Sequence, residues 1–198
     1  MRIGICGAHR TGKTTLARAL AESTGLTLMD AGVSAVFREL GLEPSRTLSF
    51  SDRMRVQDAI LAKYLNLMAG AENVVIDRTP IDFIGYLLAD LNQDHYREEG
   101  ASQWVAEYIE RCLEAARQTM SFVIFVSPGI PLEMAEGRGL VDPGYIRGVH
   151  WLMRGALSDS GVAHDYLPTS YTDLDMRREW VEGMLQYRFQ FKALKPKK

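Results

Sequence analysis

Residues 3–6, Ile-Gly-Ile-Cys, form a short apolar run that stops at a glycine-flanked segment, 7–12. From 13 to 23, Leu16, Ala19 and Leu20 then recur at helical spacing. That order reads as strand, loop, helix. A second short strand over 26–30 follows Gly25, which stands where a helix C-cap glycine belongs. Ser51 is a candidate N-cap for a long helix with Met54, Ile60, Leu61, Tyr64, Leu65 and Met68 on one face, closed by Gly70. Residues 73–77, Asn-Val-Val-Ile-Asp, are a continuous apolar run with a terminal carboxylate, the pattern of a strand buried on both faces of a parallel sheet. Pro80 suits the first turn of a helix running to about Leu91. Helical periodicity returns over 102–118, and Phe-Val-Ile-Phe-Val at 122–126 is the strongest strand signal, stopped by Ser127-Pro128-Gly129 and expected at the centre of the sheet. A glycine-rich, mixed-charge stretch at 136–144 leads to a helix over about 145–157, a weak strand at 162–167 and a closing helix from about Asp173. Such alternation predicts an α/β fold: a parallel sheet with right-handed crossovers and helices on both faces.

Composition narrows the class. A chain of 198 residues, 46% hydrophobic, suits one domain, expected over 1–191, followed by a frayed basic tail at 192–198 that carries Lys192, Lys195, Lys197 and Lys198. The formal charge of −2 gives no global basic field for nucleic acid. Two cysteines, Cys6 and Cys112, make neither a disulfide framework nor a zinc site, and His9, His95, His150 and His164 show no metal-ligand spacing. No stretch approaches the ~20 apolar residues of a membrane span, so the expectation is a soluble, cytoplasmic protein without a membrane partner.

Residues 7–14, Gly-Ala-His-Arg-Thr-Gly-Lys-Thr, satisfy the phosphate-loop (Walker A) pattern G-x-x-x-x-G-K-[ST] in full, and Thr15 follows. The chemistry requires these residue types. Gly7 and Gly12 let the backbone N–H groups of the segment, including Ala8, His9, Arg10 and Thr11, turn inward around a β-phosphate, while the helix that starts near Lys13 aims its positive end at the same charge. Lys13 reaches the β/γ oxygens, and the Thr14 hydroxyl ligates Mg²⁺, so ATP and Mg²⁺ are the expected donor and metal. The ring of His9 has two readings, packing and phosphate contact. Asp77 ends a buried strand, where a carboxylate can serve the metal or, alternatively, cap the next helix. Arg78 can fork onto a phosphate oxygen or pair with Asp82 one turn on. Trp104, Tyr108 and Ile109 at helical spacing read as core.

The segment Asp77-Arg78-Thr79-Pro80-Ile81-Asp82, together with the phosphate loop and the element order, resembles the small P-loop nucleoside and nucleotide kinases, those grouped with the ribosylnicotinamide kinase domain and, more loosely, thymidylate and deoxynucleoside kinases. The resemblance implies a three-layer α/β/α P-loop NTPase fold with a five-stranded parallel sheet in the order 2-3-1-4-5. It further implies transfer of the γ-phosphoryl group of ATP to a nucleoside- or nucleotide-type acceptor. It places an acceptor-recognition glutamine at Gln57, a proton-accepting carboxylate at Asp30, with Asp77 as the alternative, and a lid at about 132–147. Within that lid Arg138, between Gly137 and Gly139, closes over the transferring group, with Arg78 and Arg147 as further acceptor-side arginines. Asp30-Ala31-Gly32 departs from the Glu-Pro of many deoxynucleoside kinases. A hydroxyl carried on polymeric nucleic acid, such as a hydroxymethylated pyrimidine in DNA, is the alternative acceptor, and a plain NTPase the alternative class. The resemblance is compatible with a homodimer.

Overall fold

The computed structural model describes residues 1–43, 48–131 and 142–190. Five parallel strands, β1 (Arg2–Cys6), β2 (Thr27–Asp30), β3 (Val74–Asp77), β4 (Phe122–Val126) and β5 (His164–Leu167), hydrogen-bond in the order β2-β3-β1-β4-β5. The middle strand is β1, and β4 lies beside it, paired on both sides with β1 and β5 and buried at all five residues, as its strong apolar signal at 122–126 predicts of a central strand. Crossovers run through α1 (Lys13–Thr24), α2 (Val33–Glu39), α3 (Phe50–Met68), α4 (Pro80–Asp90), α5 (Ala101–Thr119) and α6 (Pro143–Asp159), and α7 (Leu174–Phe189) follows β5.

Side-chain alternation along the strands divides the core in two. Ile3, Ile5, Val75, Phe122, Ile124 and Val126 face α1 and α7, packing with Leu16, Leu20, Val181 and Leu185. Cys6, Val74, Ile76, Val123 and Phe125 face the other way, into a larger cluster that takes Ile60 and Tyr64 of α3, Ile84 of α4, Cys112 of α5 and Met153 of α6. The result is the expected three-layer α/β/α arrangement. No helix among the described residues is long and apolar enough to cross a membrane.

Local chemistry moves several boundaries. The long helix α3 is capped by Ser49, not Ser51: the Ser49 hydroxyl accepts from the Asp52 amide at 3.1 Å. Helix α6 begins at Pro143 rather than 145, because Asp142 caps it through the Tyr145 amide at 2.7 Å and Pro143 needs no donor at the first position. On the sheet edge β5 starts at His164, and only its last residue is buried, so the weak apolar pattern before it is not strand. Trp104 and Tyr108 stack at 5.1 Å with Tyr108 fully buried, the core reading of that helix. The basic tail at 192–198 lies outside the described residues.

Candidate active site

In an open parallel sheet, ligands bind beyond the carboxyl ends of the strands, where the order reverses. Here β1, β2 and β3 deliver Gly7, Asp30 and Asp77 to that edge. Residues 7–12 leave β1 in a loop that only glycines can close. Gly7 has φ 143°, and a Cβ there would collide with the carbonyl oxygen of Val126 on β4. Gly12, at φ 82°, caps α1 in the left-handed region.

Several contacts among the described residues hold the loop. The Gly7 amide donates to Oδ1 of Asp82 at 3.3 Å, the Thr11 hydroxyl donates to the Ala8 carbonyl at 2.8 Å, and the Lys13 ammonium donates to the same carbonyl at 2.7 Å. Lys13 is buried, and that burial pushes its pKa down against the opposing pull of Asp82. Asp82 joins the loop to the start of α4. Its Oδ2 accepts from the Thr79 amide at 2.8 Å and hydroxyl at 3.0 Å, so it caps α4 while Oδ1 anchors Gly7. Burial raises its pKa, and the charges of Lys13 and Arg78 counter the rise. The capping that Asp77 was weighed for is thus done by Thr79 and Asp82.

Asp77 instead accepts from the Thr14 hydroxyl at 2.5 Å, while its other oxygen, Oδ1, is buried without a hydrogen-bond partner. A hydroxyl and a carboxylate joined in this way, with one hard oxygen left uncompensated, fit the donor set a Mg²⁺ ion takes beside a triphosphate. Asp30 is register-matched to Asp77 on the neighbouring strand; its Oδ1 accepts from the Gly32 amide at 2.8 Å and the residue is exposed. Thr15 is exposed in the first turn of α1.

Above the loop, the His9 ring sits 6.1 Å from Tyr86 and 5.7 Å from Tyr145, and the Arg78 guanidinium lies 5.5 Å over Tyr86. Arg78 adopts φ 75°, turned out of the strand as its amide donates to the Ile5 carbonyl at 3.1 Å. Gln57 is buried on α3, with Oε1 accepting from the Tyr108 hydroxyl at 2.9 Å, so the core fixes half of its amide. One helical turn earlier Arg53 pairs with Asp90 at 2.9 Å, and Asp90 also accepts from the Tyr145 hydroxyl at 2.6 Å. Sequence reasoning missed this Arg53–Asp90–Tyr145 chain; no spacing rule joins residues on α3, α4 and α6. Arg147 is exposed on α6 and borders a cleft of about 430 Å³ with Arg10, Thr11, Ile130 and Ile146. Arg138, with most of the expected lid, lies at 132–141, outside the described residues.

Residues 2–162 match the model of a family described as AAA domain. No curated protein matches in sequence. Among solved structures, NadR protein in complex with NAD and AMP-PNP superposes with a TM-score of 0.66 at 15% identity, over 100% of this chain and 51% of that one. The chain thus spans about half of NadR. Deoxyadenosine kinase from M. mycoides with bound dATP gives a TM-score of 0.61 at 16% identity, over 94% of this chain and 100% of that one. Thymidylate kinase from Candida albicans gives 0.63 at 14% identity, over 96% and 93%. At these identities the likeness is one of fold.

Proposed function

The chain belongs to the AAA domain family, and on that premise we propose that it is an ATP-dependent kinase acting on a nucleoside- or nucleotide-type acceptor. The observation that carries the reading is the joint geometry of the loop and the β3 terminus: a complete phosphate cradle with a buried Lys13, and Thr14 bonded to an Asp77 that keeps one oxygen uncompensated. Superposition over nearly the full chain on NadR, deoxyadenosine kinase and thymidylate kinase supports the same class.

Thr14 and Asp77 would hold Mg²⁺, whose chemistry is to neutralise charge on the triphosphate. The loop amides and Lys13 orient the γ-phosphoryl group for in-line attack. With Asp77 engaged by Thr14, Asp30 becomes the carboxylate left to accept the acceptor hydroxyl proton. On the acceptor side Gln57, Arg78 and the His9–Tyr86–Tyr145 wall offer hydrogen bonds and aromatic faces suited to a nucleobase. Arg10 suits the donor, and Arg147, expected on the acceptor side, borders the same cleft beside Arg10 and Thr11, a place that suits the donor instead.

A small acceptor is favoured over DNA because the cations that could widen a basic face are already paired: Arg53 with Asp90, Arg55 with Asp52 and Lys63 with Glu39, at 2.7–3.0 Å. Neutralising Z phosphates would give log K a slope of about −0.9Z against log salt. The deciding experiment follows ATP consumption with nucleosides, nucleotides and DNA containing hydroxymethylated pyrimidines, at two salt concentrations, for the full chain and for one lacking 192–198. Turnover with free nucleosides or nucleotides, indifferent to the tail, is expected. Labelling of DNA alone with steep tail-dependent salt sensitivity would transfer the acceptor to nucleic acid, and acceptor-independent hydrolysis would make the protein an NTPase.

Arg138 is proposed to add charge late, from the lid. Arg138→Ala is expected to lower kcat more than it raises the KM for ATP; a change in KM alone would make it a binding residue.

A further inference from the structure

Arg177, in the first turn of α7, is 4% exposed, and its Nη2 donates to the Thr11 carbonyl at 3.0 Å across 166 residues of sequence. Its Nη1 lies close to Gly12: a Cβ built there would stand 2.7 Å from it. Nε is buried without a hydrogen-bond partner, and among the described residues no carboxylate forms an ion pair with this guanidinium. The two acids nearest in sequence are engaged elsewhere: Asp173 caps α7, and Asp175 reaches Arg178. Burial pushes the Arg177 pKa down. A buried cation without a counter-charge is costly, so its retention against the phosphate loop requires a reason.

Peptide geometry supplies one. The C=O of Thr11 and the N–H of Gly12 belong to one planar trans peptide and point in opposite directions. By holding the carbonyl on the outer side, Arg177 turns the Gly12 N–H to the inner side, where the cradle lies, and a cation on the carbonyl polarises that N–H into a stronger donor.

We infer that Arg177 is a positioning residue for the donor phosphates: it orients the Gly12 amide through the Thr11 carbonyl, and the phosphate chain supplies a counter-charge that no carboxylate among the described residues provides. This rests on the phosphate-loop reading of the site. It makes the start of α7, at the far end of the chain, a part of the donor site and ties nucleotide binding to the docking of that helix.

The test compares the wild type with Arg177→Met and Arg177→Lys, measuring melting temperature without ligand and affinity for Mg²⁺-tripolyphosphate and for adenosine by calorimetry. Arg177→Met is expected to weaken tripolyphosphate about 10- to 100-fold, leave adenosine unchanged, and hold or raise the ligand-free melting temperature, since an unpaired buried charge is gone. Arg177→Lys, which keeps a charged donor, is expected to stay within about threefold of the wild type. A Met variant that melts earlier yet binds tripolyphosphate normally would reduce Arg177 to a structural clamp and overturn the inference. Should the Met variant not fold, Arg177→Gln takes its place with the same readings: a loss of about tenfold or more in tripolyphosphate affinity supports the inference, and normal affinity overturns it. Failure of the wild type to bind tripolyphosphate would sink the phosphate-loop reading itself, a result separable from failure of Arg177 alone.

Discussion

Lys13→Ala is expected to lower phosphoryl transfer by at least about 10³-fold while leaving the fold intact. Losing one preorganised donor to a transition-state oxyanion typically costs 10²–10³, and Lys13 also carries a full charge. The fold survives because the ammonium makes one hydrogen bond, to the Ala8 carbonyl, at a site where burial already works against the charged form. Its removal leaves Asp82 buried with less opposing charge, which raises the Asp82 pKa further, but the Thr79 amide and hydroxyl still satisfy that carboxyl. The measurement is steady-state turnover beside a thermal melt. Near wild-type turnover in a folded variant would remove the central claim, and a collapse of the melt would mean that Lys13 is as much a structural strut as a ligand.

The parts of this molecule written in short sequence windows were readable in advance. Residues 7–14 form a motif because a phosphate cradle needs contiguous backbone; element alternation implied the parallel sheet, and the resemblance implied its strand order. Helix α2 was not predicted: its seven residues between Gly32 and Gly41 are too few for a 3.6-residue period to emerge, and Val36 alone is fully buried. Gln57 illustrates a different limit. Its place on the long helix was legible, but the Tyr108 hydroxyl that occupies its Oε1 comes from α5, 51 residues away. Arg177 is the extreme case, a helical arginine with no motif, whose significance exists only once β5 and α7 bring it under Thr11. Long-range polar contacts of this kind leave no periodic trace, since one residue at each end suffices.

The second large effect is expected at Asp77. Two carboxylates stand side by side at the strand ends, register-matched Asp30 and Asp77, yet their surroundings differ. Asp30 is exposed and bonded to a turn amide, whereas Asp77 is 7% exposed, bonded to the Thr14 hydroxyl and left with an uncompensated oxygen. Removing the charge at Asp77 while keeping its shape, as Asp77→Asn does, should therefore raise the Mg²⁺ concentration needed for half-maximal rate and lower kcat by at least about 10²-fold. Because Asp82 and Thr79 already cap α4, the helix itself should lose nothing, and the melting temperature in the absence of metal should hold. Asp30→Asn separates the two roles: it should depress kcat without shifting the Mg²⁺ titration, as expected of a proton acceptor. If Asp77→Asn left the Mg²⁺ dependence unchanged while Asp30→Asn moved it, the metal would belong to the neighbouring strand, and the assignment of the two carboxylates would have to be exchanged.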